Sequence, residues 1–440
     1  MSGDTQHHAP HDGARIHART QGDSMKRFAS VWALLGLLVS SVAMAGDPPL
    51  NANDWNFVLV PSFEQGRDNN LSVTGLNASL RFGQALTSVT AGKLPQVRQV
   101  YALTMTSPGS HGNMAPLESI QPYALLNYQA VKVQQLNPGD ASTYNSPAHF
   151  MQQLLANQPR GIYVMAMPRE MLAGIAESLT GSRPSIDAHH YYVASGQAGA
   201  LKLDAYADGI TPDAKYPDIA LPRRSATCPQ APVTIRVRAP EGLVPYTSQK
   251  ALLVRHVEAH PGGNFENGNY VCQGQWRALG ANRILLEKLG RRPDYVYTSD
   301  PADIIDCGEA CSYIRPSLTV APFAIQHGLP LTLAPFQWED ASDLAIALFD
   351  RNSPYLQRPA LGQTLLVGWE HDHIVKAVQY LLANVYRDPA AAAKLPSWNY
   401  TDYDTVWELS TDEEGTLTFK NSCEGIATET LPSTCPAFFP

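Results

Sequence analysis

The sequence predicts an α/β protein of two tandem three-layer domains, each a mainly parallel sheet with helices on both faces. Three observations carry this. Short unbroken apolar runs, Asn56-Phe-Val-Leu-Val60 and Leu252-Leu-Val254 among them, read as strands buried on both faces. They alternate with helical stretches at the spacing of βαβ units. The order of elements in the first half then recurs in the second.

In the first half, strands are predicted at 56–60, 97–103, 130–133 and 161–166. Helices are predicted between and after them at 77–86, 117–126, 149–155 and 169–179. In the second half, strands at 252–254, 295–297, 330–333 and 363–369 alternate with helices at 275–289, 317–326, 341–349 and 372–385. The ends match as well. Strands at 191–193 and 199–203 correspond to 405–407 and 415–419, and the copies close on Asp208-Gly-Ile210 and Glu424-Gly-Ile426. The stretch 212–246, rich in proline and basic residues with little periodicity, reads as the linker. The domains are then 46–211 and 247–440.

A chain of 440 residues, 44% hydrophobic and 16% charged, has room for two or three domains with ample core. The formal net charge of −8 gives no support for nucleic-acid binding. Beyond the N-terminus no segment has the ~20 apolar residues of a membrane span. Met25-Lys26-Arg27, an apolar run over 28–42 and Ala43-Met44-Ala45 have the order of a secretory signal, so 25–45 is expected to be removed. The protein would then be periplasmic or secreted and begin near Gly46. Residues 1–24, with His7, His8, His11 and His17, read as an upstream extension. The six cysteines suit disulfides in an exported protein, with Cys307/Cys311, Cys423/Cys435 and Cys228/Cys272 as the expected pairs. Their spacing is not that of a zinc site.

The strand 252–254 runs into Arg255-His256, and ligands in such sheets sit beyond the carboxyl ends of the strands. A second histidine, His371, follows the strand 363–369. When the two halves are aligned, Arg255-His256 falls on Pro61-Ser62, Glu370-His371 on Met167-Pro168, and Glu339-Asp340 on Gly139-Asp140. The first copy keeps the apolar framework without the imidazoles. Such a group suits a phosphate. A neutral imidazole attacks phosphorus, guanidiniums grip phosphoryl oxygens, and a carboxyl protonates the leaving oxygen.

Leu252-Leu-Val-Arg-His256 resembles the signature of the histidine phosphatase superfamily, the phosphoglycerate-mutase-like fold. Ser299-Asp300 and Arg315-Pro-Ser-Leu-Thr319 resemble its second motif, and Trp369-Glu-His-Asp372 its second-histidine motif. The likeness spans about 247–420. It implies His256 as nucleophile, Arg255 and Arg315 on the phosphate, and His371 completing the pocket. For the proton donor, one branch of the family implies Glu339, the preferred candidate because the first copy has Gly139 in its place, and another branch implies Asp372 as the alternative. The chain departs from the pattern at Val257, where the family has glycine. It departs again at the extra segment 301–314, which Cys307 and Cys311 would pin beside the site.

Asn267, in the polar stretch 265–270, and Arg277, on the following helix, are candidate substrate contacts, although a solvated face also suits Arg277. Glu258 reads as solvated or structural, and His260 and His373 as flanking residues. The sequons at Asn70, Asn77 and Asn399 matter only in a eukaryotic host. The expectation is an exported phosphatase acting on a small-molecule phosphate ester, with no cofactor or metal required. A non-catalytic binding or scaffold protein and a phosphomutase are the alternatives.

Overall fold

The apolar runs form two sheets, each with strands whose alternate residues face opposite cores. In the first, β1 (Trp55–Pro61), β2 (Val97–Thr104), β3 (Val131–Gln135) and β4 (Gly161–Met167) are parallel, and β5 (His190–Gly196) and β6 (Lys202–Ala207) are antiparallel. Their order across the sheet is β3-β2-β4-β1-β5-β6. In the second, β8 (Lys250–Arg255), β9 (Tyr295–Thr298), β12 (Leu331–Leu333) and β13 (Thr364–Trp369) are parallel. There β14 (Thr405–Thr411) and β15 (Leu417–Cys423) are antiparallel, followed by β7 (Thr234–Val237) at the edge. The order is β12-β9-β13-β8-β14-β15-β7, the first sheet's order with one strand added.

This is a computed structural model, and it describes residues 46–105, 113–137, 146–217, 219–223, 228–259, 267–307, 310–359 and 361–438. The signal at 25–45 and the extension at 1–24 lie outside the described residues, as do Gly139, Asp140 and His260. All the described residues belong to one compact unit.

The period of two along each strand decides the layers. Val58 and Val60 of β1 and Leu252 and Val254 of β8 enter one continuous apolar core shared by both halves. Phe57 and Leu59 face a second core, and Ala251 and Leu253 a third. The shared core also takes side chains from α1 (Val73–Val89), α2 (Ala115–Leu126), α5 (Cys272–Gly280), α6 (Asn282–Leu289) and α7 (Arg315–His327). The outer core of the first sheet takes α3 (Pro147–Asn157) and α4 (Arg169–Thr180). That of the second takes α8 (Ala341–Phe349), α9 (His371–Tyr380) and the short α10 (Pro389–Ala392). No helix among the described residues is long and apolar enough to cross a membrane.

Three features differ from the sequence expectation. The helix expected over 275–289 is two helices, broken beyond Gly280, where a side chain would collide with Leu221. The stretch 212–246 carries β7, whose four residues are too few for a clear period. The disulfides are Cys228–Cys423, Cys272–Cys435 and Cys307–Cys311. Only the last was expected. β7 lies antiparallel on β15 and carries the segment after Cys228 to the end of that strand, where Cys423 sits. Trp276 on α5 donates to the carbonyl of Thr434, 2.8 Å away, so the tail around Cys435 lies along that helix. Sheet pairing and tail docking choose the partners, and nearness in sequence does not.

Candidate active site

Arg255 is the last residue of β8, paired in register with Trp369 at the end of β13. The backbone N–H of His256 donates to Trp369 O at 2.8 Å. The two strand ends therefore put His256 and the Glu370-His371 pair side by side. Arg315 opens α7. The next turn of that helix is tied to the segment after β8 by Thr319, whose hydroxyl accepts from Val257 N at 3.0 Å and donates to Arg315 O at 2.8 Å. Gly368 lets α7 approach β13 this closely, since a Cβ there would stand 2.8 Å from Val320 Cγ1 and 3.0 Å from Pro316 O. The inserted segment 301–314 thus leaves Arg315 at the head of its helix and against the site.

His256 is buried, and its Nδ1 lies 2.9 Å from Val257 O. A carbonyl only accepts, so Nδ1 carries the proton and Nε2 keeps its lone pair. Burial first, then the positive fields of Arg255 and Arg315, hold the imidazole well below its ordinary pKa. It is a neutral base with its free nitrogen among cations.

Arg255 is fixed by the loop 396–404. Its Nη1 donates to the carbonyls of Tyr400 and Asp402, the latter at 3.1 Å, and its Cζ lies 4.1 Å from the Tyr403 ring centroid. Its buried Nε has no hydrogen-bond partner in the protein. The Nε–Nη2 edge is therefore the forked face left for an oxyanion. Tyr313, whose ring centroid is 6.2 Å from that of His256, and Trp338, 4.7 Å beyond it, back the site with aromatic surface.

Glu370 is a site residue that the sequence reading left without a role. It caps α9, accepting from His373 N at 3.0 Å; its carboxylate also takes His373 Nδ1 at 2.7 Å and lies in ion-pair contact with His371 Nδ1. Burial would raise its pKa, but the adjacent imidazoles of His371 and His373 hold it well below the carboxylate range. Glu370 is thus an orienting anion and not a proton donor. The signal was present in the sequence: a carboxylate just before a histidine at a helix start is both a cap and an imidazole holder.

Of the two candidate acids, Asp372 is exposed, with Oδ1 3.5 Å from His371 Nε2. Glu339 is also exposed, in the loop after β12. Its charge acts on Asp303, a carboxyl of the inserted segment pushed up to about 7 by burial and then by Asp300, Asp340 and Glu339. Ligand atoms of Glu370, His371 and Asp372 lie within 4.8 Å of one another, but Glu370 is already engaged by two imidazoles and the helix start.

One expected substrate contact is placed differently. Arg277 is 1% exposed and donates to Glu258 at 2.7–3.0 Å and Glu424 at 2.8 Å, with Asp404 at 3.6 Å. It is neither solvated nor on a ligand, because buried carboxylates take its donors. Glu258 is correspondingly structural. Asn267 lies in a turn, its Oδ1 accepting from Asn269 N at 3.1 Å.

The first half repeats the same joints without the chemistry. Ser62 N donates to Met167 O at 2.8 Å, as His256 N does to Trp369 O. Phe63 N donates to Ser119 Oγ at 3.1 Å, as Val257 N does to Thr319. Pro61 and Ser62 therefore stand where Arg255 and His256 stand, and Ala115 where Arg315 stands. Pairing corrects the alignment at the second histidine by one residue. Pro61 pairs with Met167 and Arg255 with Trp369, so Glu370 falls on Pro168 and His371 on the exposed Arg169.

No family model matches the chain, and no curated protein matches it. Among solved structures, the chain is similar to one described as a phosphohistidine phosphatase, SixA, of Agrobacterium tumefaciens, at 18% identity over 37% of this chain and 90% of that one, with a TM-score of 0.23. It is similar to a mycobacterial glucosyl-3-phosphoglycerate phosphatase in complex with inorganic phosphate, at 12% identity over 36% of this chain and all of that one, TM-score 0.26. A phosphoglycerate mutase of Plasmodium falciparum is similar at 16% identity over 44% of this chain and 99% of that one, TM-score 0.26.

Proposed function

We propose that this protein is an exported phosphatase that hydrolyses phosphate monoesters through a phosphohistidine on His256. The observation that carries this is the state of that imidazole. It is neutral, its proton is committed to Val257 O, and its free Nε2 lies in the field of Arg255 and Arg315. In the reaction, Nε2 attacks phosphorus and the N–P bond forms as the P–O bond to the leaving group breaks. The leaving oxygen takes a proton from a carboxyl group. Water then attacks phosphorus, the N–P bond breaks, and the proton lost by water returns to that carboxylate. Arg255, Arg315 and His371 hold the phosphoryl oxygens throughout.

Asp372 is the preferred acid because it reaches His371, beside which the leaving oxygen would pass. Glu339 is the alternative. The matching strand orders and paired joints support a tandem duplication whose first copy, 46–211, has lost the site. Three disulfides suit an oxidising compartment outside the cytoplasm.

The test is hydrolysis of p-nitrophenyl phosphate by the purified protein. His256→Ala should lower kcat to below about one-thousandth. A neutral His256 also predicts that kcat/KM shows no inflection from this group near pH 6.5, with loss only at lower pH as the imidazole gains its proton. Asp372→Asn and Glu339→Gln compared on an alkyl ester identify the donor by the larger loss. Phosphate released to water marks a phosphatase, and transfer to an added alcohol in preference to water marks a mutase. Phosphate-ester binding without turnover would leave the binding protein as the reading.

A further inference from the structure

The ring of Tyr400 stands against two groups of the site, Arg255 and His371. Its backbone carbonyl, not its ring, accepts from Arg255 Nη1. The loop that carries it is pinned by other groups. Asp402 Oδ1 accepts from the backbone N–H of Asp404 and Thr405, both at 3.0 Å, and its Oδ2 accepts from Thr405 Oγ1 at 2.5 Å. Trp398 Nε1 donates to Asp402 O at 3.0 Å, and Asn399 Oδ1 accepts from Thr401 N at 2.9 Å. On this fixed loop Tyr400 is 46% exposed. Its centroid lies 5.9 Å from the His371 ring and 5.4 Å from Arg255 Cζ. It is a large exposed aromatic beside the groups that would hold a phosphate.

A displacement on phosphorus needs the nucleophile and the leaving oxygen roughly in line. With His256 at the buried end, a leaving group in line with it would point to the open side of the site, where His371, the exposed Asp372 and the exposed Tyr400 stand together. A ring held in place before binding gives contact area with little ordering on binding. Aromatic pairs add an offset-stacked or edge contact to that area.

We propose that Tyr400 forms a leaving-group subsite for phosphate monoesters whose alcohol carries an aromatic ring. This rests on the phosphatase reading above and names its substrate class. The specificity element is the ring itself. Both the backbone and the ring of this residue touch Arg255, and a loss of that support acts on any ester alike, so the ratio of two esters isolates the subsite.

The test compares 2-phenylethyl phosphate with propyl phosphate, both primary alkyl esters, so that intrinsic leaving-group reactivity is closely matched. The readout is the ratio of their kcat/KM values. The wild-type ratio should favour the aromatic ester. Tyr400→Ala and Tyr400→Leu should each lower it by about fivefold to tenfold, the size of one aromatic pair, and Tyr400→Phe should keep it. Thermal melting at the wild-type temperature checks that each variant is folded. A ratio unchanged in both Tyr400→Ala and Tyr400→Leu overturns the subsite. So does a Tyr400→Phe ratio as low as that of Tyr400→Ala, which would assign the effect to the hydroxyl. Absence of turnover on both esters by the wild-type protein overturns the phosphatase reading itself, and the subsite with it.

Discussion

Arg277 holds three buried segments at one point. Glu258 follows β8, Asp404 begins the return to β14, and Glu424 follows β15. Thr428 Oγ1 joins the cluster, accepting from Arg277 at 2.9 Å and donating to Glu258 at 2.9 Å. Removing the guanidinium would leave Glu258 and Glu424 buried without the charged donor that both share. Arg277→Met is expected to lower unfolding free energy by about 3–5 kcal/mol, measured by urea denaturation. It should also reduce activity, because Glu258 lies two residues from His256. This residue was not legible in the sequence. Its strongest distant partner, Glu424, lies 147 residues away, and no local pattern distinguishes a buried arginine on a helix from a ligand-binding one. His256 and Arg255 were legible because a parallel strand's end has a fixed meaning. Burial decides other cases. Asn70 and Asn77 have sequon spacing but are buried, so neither is accessible to a glycan in the folded chain.

At the scale of elements, the inserted segment is a small hairpin, β10 (Ile304–Asp306) and β11 (Ala310–Ser312), closed by Cys307–Cys311. Ser312 Oγ accepts from Val133 N at 2.9 Å, and Gln135 Nε2 donates to Asp300 Oδ2 at 3.1 Å. β3 of the first half therefore braces the hairpin that leads through Tyr313 into Arg315. Replacing both cysteines with serine should lower kcat/KM by about tenfold through a looser Arg315 and shift the melting temperature by only a few degrees, because the closed loop is short. Steady-state kinetics and a melting curve separate the two effects. The longer parallel strands could be read from their apolar runs, but these strands of three residues offer no period to read. β7 was hidden in the same way, in a stretch whose prolines and charges look like a linker.

For the whole molecule, the inner helices of both halves bury one apolar core, and polar contacts cross it. Asn70 Nδ2 donates to Leu329 O at 2.8 Å, and Gln121 Nε2 to Asn269 Oδ1 at 3.1 Å. Glu118, within this layer, accepts from Leu71 N at 2.7 Å and is pushed up to about 8 by burial. Its raised pKa means the folded protein holds the proton more tightly than the unfolded chain. The stability this gives is complete below about pH 4.5 and is lost as pH rises through about 8. A fragment of residues 247–440 would lack β7, Cys228 and the apolar surface of α1 and α2. It is expected to be insoluble or molten, as judged by expression and near-ultraviolet circular dichroism, although it contains every proposed catalytic residue. The repeated order of elements was legible because each copy spells out the same run of strands and helices. The shared core was not, because an apolar helix face does not state whether it meets its own sheet or another half.

The disulfide pairing has a consequence for biogenesis. Cys228 and Cys272 wait for partners 195 and 163 residues further along the chain, which at ordinary rates of synthesis is roughly 8 to 40 seconds. If the chain is exported as proposed, both thiols meet an oxidising compartment through that interval with each other at hand. The earliest bond available, Cys228 to Cys272, is the wrong one. In that case maturation calls for reshuffling by a thiol-disulfide isomerase, and the yield of the exported protein is expected to fall in a host that lacks one.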